Sequence, residues 1–185
     1  MSETHARLDS LDAIEAALWR EIERAAGEPG HAWRTAVLAT VDGDAADART
    51  VVLRDVEVAH KQLLIYTDTR APKVAQLMSH PIGTLLMWSA ALSWQLRCRV
   101  RLSIEDSGLA VASRWAKVQH SRSAADYLAP LAPGATLYAA APTAARRENF
   151  GVISAEVIQL DWLELHRQGH RRAVFEPLGS RWVQP

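Results

Sequence analysis

The sequence predicts a mainly β protein with helices inserted between its strands (α+β), most simply one small antiparallel barrel. Six or more short segments rich in Val, Ile, Leu and Thr are separated by polar turns. One of them, "WQLRCRVRL", alternates strictly, with Trp94, Leu96, Cys98 and Val100 set against Gln95, Arg97, Arg99 and Arg101. That is a period of two, one face apolar and the other polar and basic. No internal repeat or domain-scale linker interrupts the 185 residues, so a single domain is expected. Residues 1–30 read as an N-terminal helix and linker, and residues 31–185 as the barrel domain.

The elements follow in order. Leu11, Ile14, Leu18 and Ile22 have helical spacing over 9–26, with Asp9 or Ser10 as cap and Gly27, Pro29 and Gly30 as stop. "TAVLATVDG", "ARTVVLRDV" and "KQLLIYTDT" read as a three-stranded meander, the first closed by an Asp-Gly turn. "RAPKVAQLMSHP" is a helix with Pro72 in its first turn and a Val74, Leu77, Met78 face. "IGTLLMWSA" and "LSWQLRCRVRLSIED" are further strands, and 107–128 is helical in two pieces. Residues 129–148, rich in Pro and Ala, read as a loop with at most a short helical turn. "SAEVIQLDWLELH", "HRRAVFEP" and "SRWVQP" return to strand.

Composition narrows the function. Lys+Arg and Asp+Glu are both 21, so the basic surplus of a nucleic-acid or membrane-surface binder is missing and any anion site must be local. The one cysteine, Cys98, excludes an intramolecular disulfide and a multi-cysteine zinc site. Seven histidines are scattered without ligand spacing, so no metal site is expected. The N-terminal stretch is acidic and amphipathic with no signal-peptide core, and a cytoplasmic protein is expected. Gly-x-Ser-x-Gly, Walker-type and His-Glu-x-x-His motifs are all missing.

What remains is equipment for anions. In "ARTVVLRDV", Arg49 and Arg54 flank an apolar centre, and their odd separation puts them on opposite faces of a strand. Two solvated strand ends, or a grip on an anion, would both produce that pattern. In "YTDTRAPK", Thr67, Asp68 and Thr69 offer a helix cap, while Arg70 and Lys73 place positive charge where the helix dipole disfavours it. A surface cap with incidental charges, or a bound phosphate, would explain it. "GHRRAVF" adds a third basic spot, readable as an exposed hairpin tip. With no acid, base or nucleophile set in sight, the pattern fits reactivity lodged in a phosphorylated cofactor.

The order "RTVVLR", "IYTDTRAPKV", "SWQLR" and a closing "FGVISAEVIQLDWLELHRQGHRRAVFEP" resembles the pyridoxamine 5'-phosphate oxidase-like family of FMN-binding split β-barrels. The resemblance covers roughly residues 33–185 and is best at 49–54, 66–73 and 95. It implies an FMN-dependent oxidoreductase working as a homodimer on a small-molecule substrate. Arg49 and Lys73 would hold the FMN phosphate, and Thr50, Val51 and Val52 would pass along the flavin with their backbone. Tyr66 and Thr67 would line the cofactor, and Gln95 would face the flavin from the other subunit. Arg54 corresponds to a basic position near the substrate, and Arg171 and Arg172 to the region that meets substrate or flavin. No residue is singled out as catalytic.

The departures concern substrate. Oxidases acting on pyridoxamine phosphate carry an Arg-Lys pair at the helix start; here it is Pro72-Lys73, with Arg70 as the stand-in for the missing charge. Their Arg-Leu-His-Asp-Arg signature is "HRRAV" here, and their Gln-Ser pair is replaced by "LAPLAPG". These point away from pyridoxamine phosphate and leave the substrate open. The alternatives are a flavin or other cofactor binder without turnover and a true pyridoxamine 5'-phosphate oxidase.

Overall fold

The computed structural model describes residues 7–138 and 149–185. The later part of the Pro- and Ala-rich loop expected at 129–148 lies outside the described residues. Helix α1 spans Leu11–Gly27, and its N-cap is Ser10, whose Oγ accepts from the Ala13 amide at 3.2 Å. Strands β1 (Thr35–Asp42) and β2 (Ala45–Glu57) form a hairpin. Gly43 turns it with φ +62°, a left-handed conformation that a side chain would strain. Strand β3 (Gln62–Asp68) precedes helix α2 (Pro72–Ser79). Strands β4 (Ile82–Ser89) and β5 (Trp94–Glu105), then helices α3 (Gly108–Val118) and α4 (Ala125–Leu128), lead to β6 (Phe150–Glu164), β7 (Arg171–Glu176) and β8 (Gly179–Val183).

The eight-stranded antiparallel sheet runs β3-β2-β1-β4-β5-β6-β7-β8, and an additional β3–β6 ladder closes its first six strands into a barrel. Closure leaves no free edge where those ladders are formed. Inward positions alternate along every wall: Leu38 of β1, Leu53 of β2, Leu63 of β3, Leu85 of β4, Cys98 of β5 and Ile153 of β6 are all buried in one core. The apolar stripe of α1 (Ile14, Leu18, Ile22) packs into that core. Burying Cys98 pushes its thiol well above the ordinary range, so it behaves as a small hydrophobe.

Strand β6 starts at Phe150, four residues before the segment expected from sequence, because Asp68↔Phe150 extends the β3–β6 ladder to the end of β3. Its run from Phe150 to Ala155 is buried throughout, where an exposed strand would alternate. One face meets the barrel interior. The other, with Phe150 and Val152, packs with Leu64 under Val111, Trp115 and Tyr127 of α3 and α4. The helices expected at 107–128 therefore form a second, smaller core outside the barrel.

Gly83 of β4 is needed for close packing. A Cβ there would lie 2.9 Å from the Ala39 carbonyl oxygen and 2.9 Å from Leu102 Cδ1. Gly83→Ala is expected to cost about 1–3 kcal/mol, read as a fall in the urea midpoint at unchanged slope. A midpoint at or above that of the parent would contradict this packing.

Candidate functional site

The feature that opens a site is a break in one ladder. Strand β2 pairs with β3 only from Leu53↔Ile65 onward, and the register shifts between Leu53 and Asp55. Arg54 is the extra residue of that bulge, which bends and twists the strand locally. Before it, residues 45–52 of β2 pair with β1 alone. Across the gap, Tyr66, Thr67 and Asp68 of β3 pair with β6 alone. Arg49–Val52 and Tyr66–Asp68 therefore face each other across a split that no strand fills, and main-chain groups of β2 remain available along its open edge.

Arg49 sits at one end of this split on the face that carries Val51 and Leu53. Its Nη1 donates to the Leu38 carbonyl at 3.1 Å and to Thr40 Oγ1, and its Nη2 donates to Gln76 Oε1 at 2.6 Å and to the Asp47 carboxylate. Thr40 Oγ1 donates to Gln76 Oε1 at 2.7 Å, and Gln76 Nε2 donates to Asp47 Oδ2 at 2.9 Å. Gln76 comes from the buried side of α2, so the helix lies over this corner. The hydrogen bond from Gln76, then that from Arg49, holds the Asp47 carboxyl below the usual range despite some desolvation.

Lys73 enters from the first turn of α2, and its Nζ donates to Thr67 Oγ1 at 3.1 Å. Burial, then the positive charge of Arg49, pushes its pKa below the ordinary lysine value, with Asp68 offsetting only part. Two cations brought together, one half-buried with a hydroxyl as its recorded hydrogen-bond partner, suit a multiply charged anion.

Arg70, Arg171 and Arg172 have acid partners of their own. The Arg70 guanidinium chelates Asp68 (Nε–Oδ1 3.0 Å, Nη2–Oδ2 2.6 Å) and ties down the Ala129 and Pro130 carbonyls at 2.8 and 3.2 Å. Its charge is spent on the loop after α4. The expected helix cap at Thr67–Thr69 is also corrected: the N-cap of α2 is Ala71, without a side-chain bond, because the Asp68 carboxylate accepts from Arg70 instead. Arg171 and Arg172, adjacent on β7, go opposite ways. Arg171 donates to Glu164 at 2.9 Å and to the Leu8 carbonyl at 2.7 Å, and lies 5.6 and 5.7 Å from the Trp162 and Trp182 ring centroids. It anchors the N-terminal segment, so of the expected exposed hairpin tip Gly169 and His170 lie in the exposed β6–β7 loop, while Arg171 and Arg172 are a half-buried strand start.

Arg172 shares the outer sheet face with Gln95, since Gln95↔Leu163↔Arg172 is one register row. Asp161, only 6% exposed, accepts from Arg172 at 2.9 and 2.7 Å and from Arg97. Burial raises the Asp161 carboxyl, but the bonds and charges of Arg172 and Arg97 outweigh it and hold it below the usual range. Within one chain β1 and β4 stand between Gln95 on β5 and the split edge of β2. Thr50 and Val52 lie on the outer face of β2, and the Val51 side chain is buried in the core, leaving only its main chain for contact.

Arg54 and Tyr66 lie under the outer helices. Arg54 Nη2 donates to Ser123 Oγ at 3.3 Å, and Tyr66 and Tyr127 pack edge-on against Phe150 at 5.1 Å each. Burial raises both phenols, and the Arg54 charge offsets part of the rise in each. Arg49 and Arg54 do occupy opposite faces. Sequence reasoning missed Thr40, Asp47, Gln76 and Asp161. Gln76 was not detectable: the expected Val74, Leu77, Met78 face is corrected to Val74, Gln76 and Leu77, with Met78 71% exposed, whereas Asp47 was detectable as the same-face neighbour of Arg49.

A hollow of about 430 Å³ lies beside the corner among Ser79, His80, Ile82, Thr84 and Arg99 and shares Thr40 with it. The corner is the better candidate site because it holds the paired cations and the open strand edge. Among the described residues no helix is long and apolar enough to cross a membrane.

Residues 15–106 match the family model described as pyridoxamine 5'-phosphate oxidase, FMN-binding domain. Among solved structures, the chain is similar to a pyridoxamine 5'-phosphate oxidase-related, FMN-binding protein from Nostoc punctiforme, at 24% identity and TM-score 0.69, covering 97% of this chain and 99% of that one. It is also similar to PhzG from Burkholderia lata in complex with tetrahydrophenazine-1-carboxylic acid (14% identity, TM-score 0.70, 100% of both chains). A third is ChuZ from Campylobacter jejuni (12% identity, TM-score 0.61, 95% of this chain and 64% of that one). At these identities the likeness is one of fold. No curated protein matches the chain in sequence.

The half-buried charge of Lys73 should destabilise the ligand-free protein. Its folded pKa lies below its unfolded one, so the unfolded chain binds more protons between the two values and stability rises with pH across that window. Below the window the cost is fully present. Lys73→Met is therefore expected to stabilise the ligand-free protein at pH 7 by about 0.5–2 kcal/mol, an advantage that shrinks as pH approaches 10.5. Denaturant titrations at both pH values check this; a less stable variant at pH 7 would contradict it.

Proposed function

This chain belongs to the pyridoxamine 5'-phosphate oxidase-like family, and from that premise we propose that it is an FMN-dependent oxidoreductase working as a homodimer. The observation that supports this best is the split between β2 and β3 with Arg49 and Lys73 at one end. In this reading Arg49, Lys73 and Thr67 hold the FMN phosphate, and the open edge of Thr50–Val52 receives the ring. Tyr66 closes the split from the β3 side. Arg70 and Arg171 are left out of the site, because Arg70 is tied to Asp68 and the carbonyls after α4, and Arg171 to Glu164, the Leu8 carbonyl and two tryptophan rings.

FMN, when bound, supplies two-electron redox chemistry at its ring; the chain's task is to bind it, orient it and shield it. Gln95 and Arg172, which share one outer face, would reach the ring from the second subunit. The outer face of β1 and β4 supports a dimer: Val37 pairs with Leu86 in register, and with Trp88 they are 37%, 37% and 45% exposed. Apolar side chains grouped on one sheet face suit burial against a second copy. Arg54, Ser123 and Tyr127 border the space for the substrate, whose identity is left open.

Arg49→Ala should weaken FMN binding by roughly tenfold to a hundredfold, the loss of one charge-assisted phosphate contact. Riboflavin, which lacks the phosphate, should bind both proteins alike. Quenching of flavin fluorescence reads both. Unchanged FMN affinity in the variant would overturn the assignment of Arg49. Anaerobic bleaching of the holoprotein by NADH or NADPH would separate a reductase from a binder or an oxidase with another donor.

A further inference from the structure

We propose that Asp47 is a built-in counter-ion for Arg49 that competes with the incoming FMN phosphate for the Nη donors, and that it makes FMN an exchangeable ligand of this chain. The inference rests on the proposed phosphate role of Arg49 and deepens it. The four N–H groups on the two Nη atoms of Arg49 are matched by four acceptors: the Leu38 carbonyl, Thr40 Oγ1, Gln76 Oε1 and the Asp47 carboxylate. Direct bonding to phosphate through either Nη therefore requires one acceptor to leave.

Leu38 O belongs to the barrel wall, and Thr40 and Gln76 are 4% and 7% exposed and bonded to each other. Asp47 is the acceptor that can leave. Its side chain is 45% exposed against 19% for Arg49, and it sits on the stretch of β2 that pairs with β1 alone. A displaced carboxylate regains water, and its departure gives up the 2.9 Å bond from Gln76 Nε2 as well as that from Arg49. It is also the one charged acceptor of the four, so while it stays it repels the phosphate as well as occupying its donors. The other acid of the corner, Asp68, is already neutralised by Arg70. The penalty of binding therefore falls on Asp47, and only on ligands that carry a phosphate.

Affinities for FMN and riboflavin, measured on the full chain by fluorescence quenching, test this with Asp47→Asn and Asp47→Glu. Asp47→Asn should tighten FMN by roughly five- to fiftyfold, the range between an exposed ion pair and a like-charge juxtaposition in a partly buried site. Most of the gain should appear as slower FMN dissociation by stopped flow. Riboflavin affinity should change less than twofold, and Asp47→Glu should stay near the parent for both. FMN affinity that is unchanged or weaker in Asp47→Asn overturns the proposal. So does equal tightening of both flavins, since that reports loosening of the site and no charge effect. If neither parent nor variants bind FMN, the flavin reading itself falls and the proposal with it. FMN binding by the parent without a response to Asp47→Asn removes the counter-ion alone.

Discussion

The molecule depends on where the β2–β3 ladder stops. From Leu53↔Ile65 to Glu57↔Gln62 the two strands are joined, and β3 then continues against β6 to Asp68↔Phe150. The barrel is thereby closed by β6 at one level and left split between β2 and β3 at another. The bulge at Arg54 is the local cause, because an extra residue on one strand cannot keep register and adds twist. The phosphate corner sits around that split: the unpaired edge of β2, the end of β3, and α2 across one end. Helix α2 can lie there because the ladder has already parted.

Charge sorts the basic residues into two groups. Arg70, Arg171 and Arg172 each have an acid held at hydrogen-bond distance, and Asp161 and Glu164 are buried enough that their arginines are fixed in place. Arg49 and Lys73 differ: each raises the cost of the other's charge, Asp68 offsets only part of the cost on Lys73, and the carboxylate bonded to Arg49 is rather exposed. The corner tolerates an electrostatic cost, and such local cost recurs at binding sites. Asp47 lowers that cost in the ligand-free protein at the expense of phosphate affinity.

Much of this was legible in the sequence, for physical reasons that differ by element. The period-two alternation of β5 fixed both its strand character and its two faces, since a one-residue slip would expose Leu96, Cys98 and Val100. The helical spacing of α1 and the Asp-Gly turn were equally local signals. Side-chain pairing over long range was not legible. Arg70 reads as a phosphate cation until Asp68 is seen to chelate it, and Arg171 and Arg172 look equivalent until strand parity sends one to Glu164 and the other to Asp161. The corner itself joins β1, β2, β3 and α2, so no window of sequence contains it. The split is likewise a property of two ladders, and only their registers reveal it.

A crystal structure of the protein with FMN tests the central claim most directly. The phosphate should lie within hydrogen-bond reach of Arg49 and Lys73, with Asp47 rotated away, the ring along the open edge of Thr50–Val52, and Gln95 of a second subunit facing it. A phosphate resting in the hollow beside Arg99, or a flavin bound wholly within one chain, would contradict it.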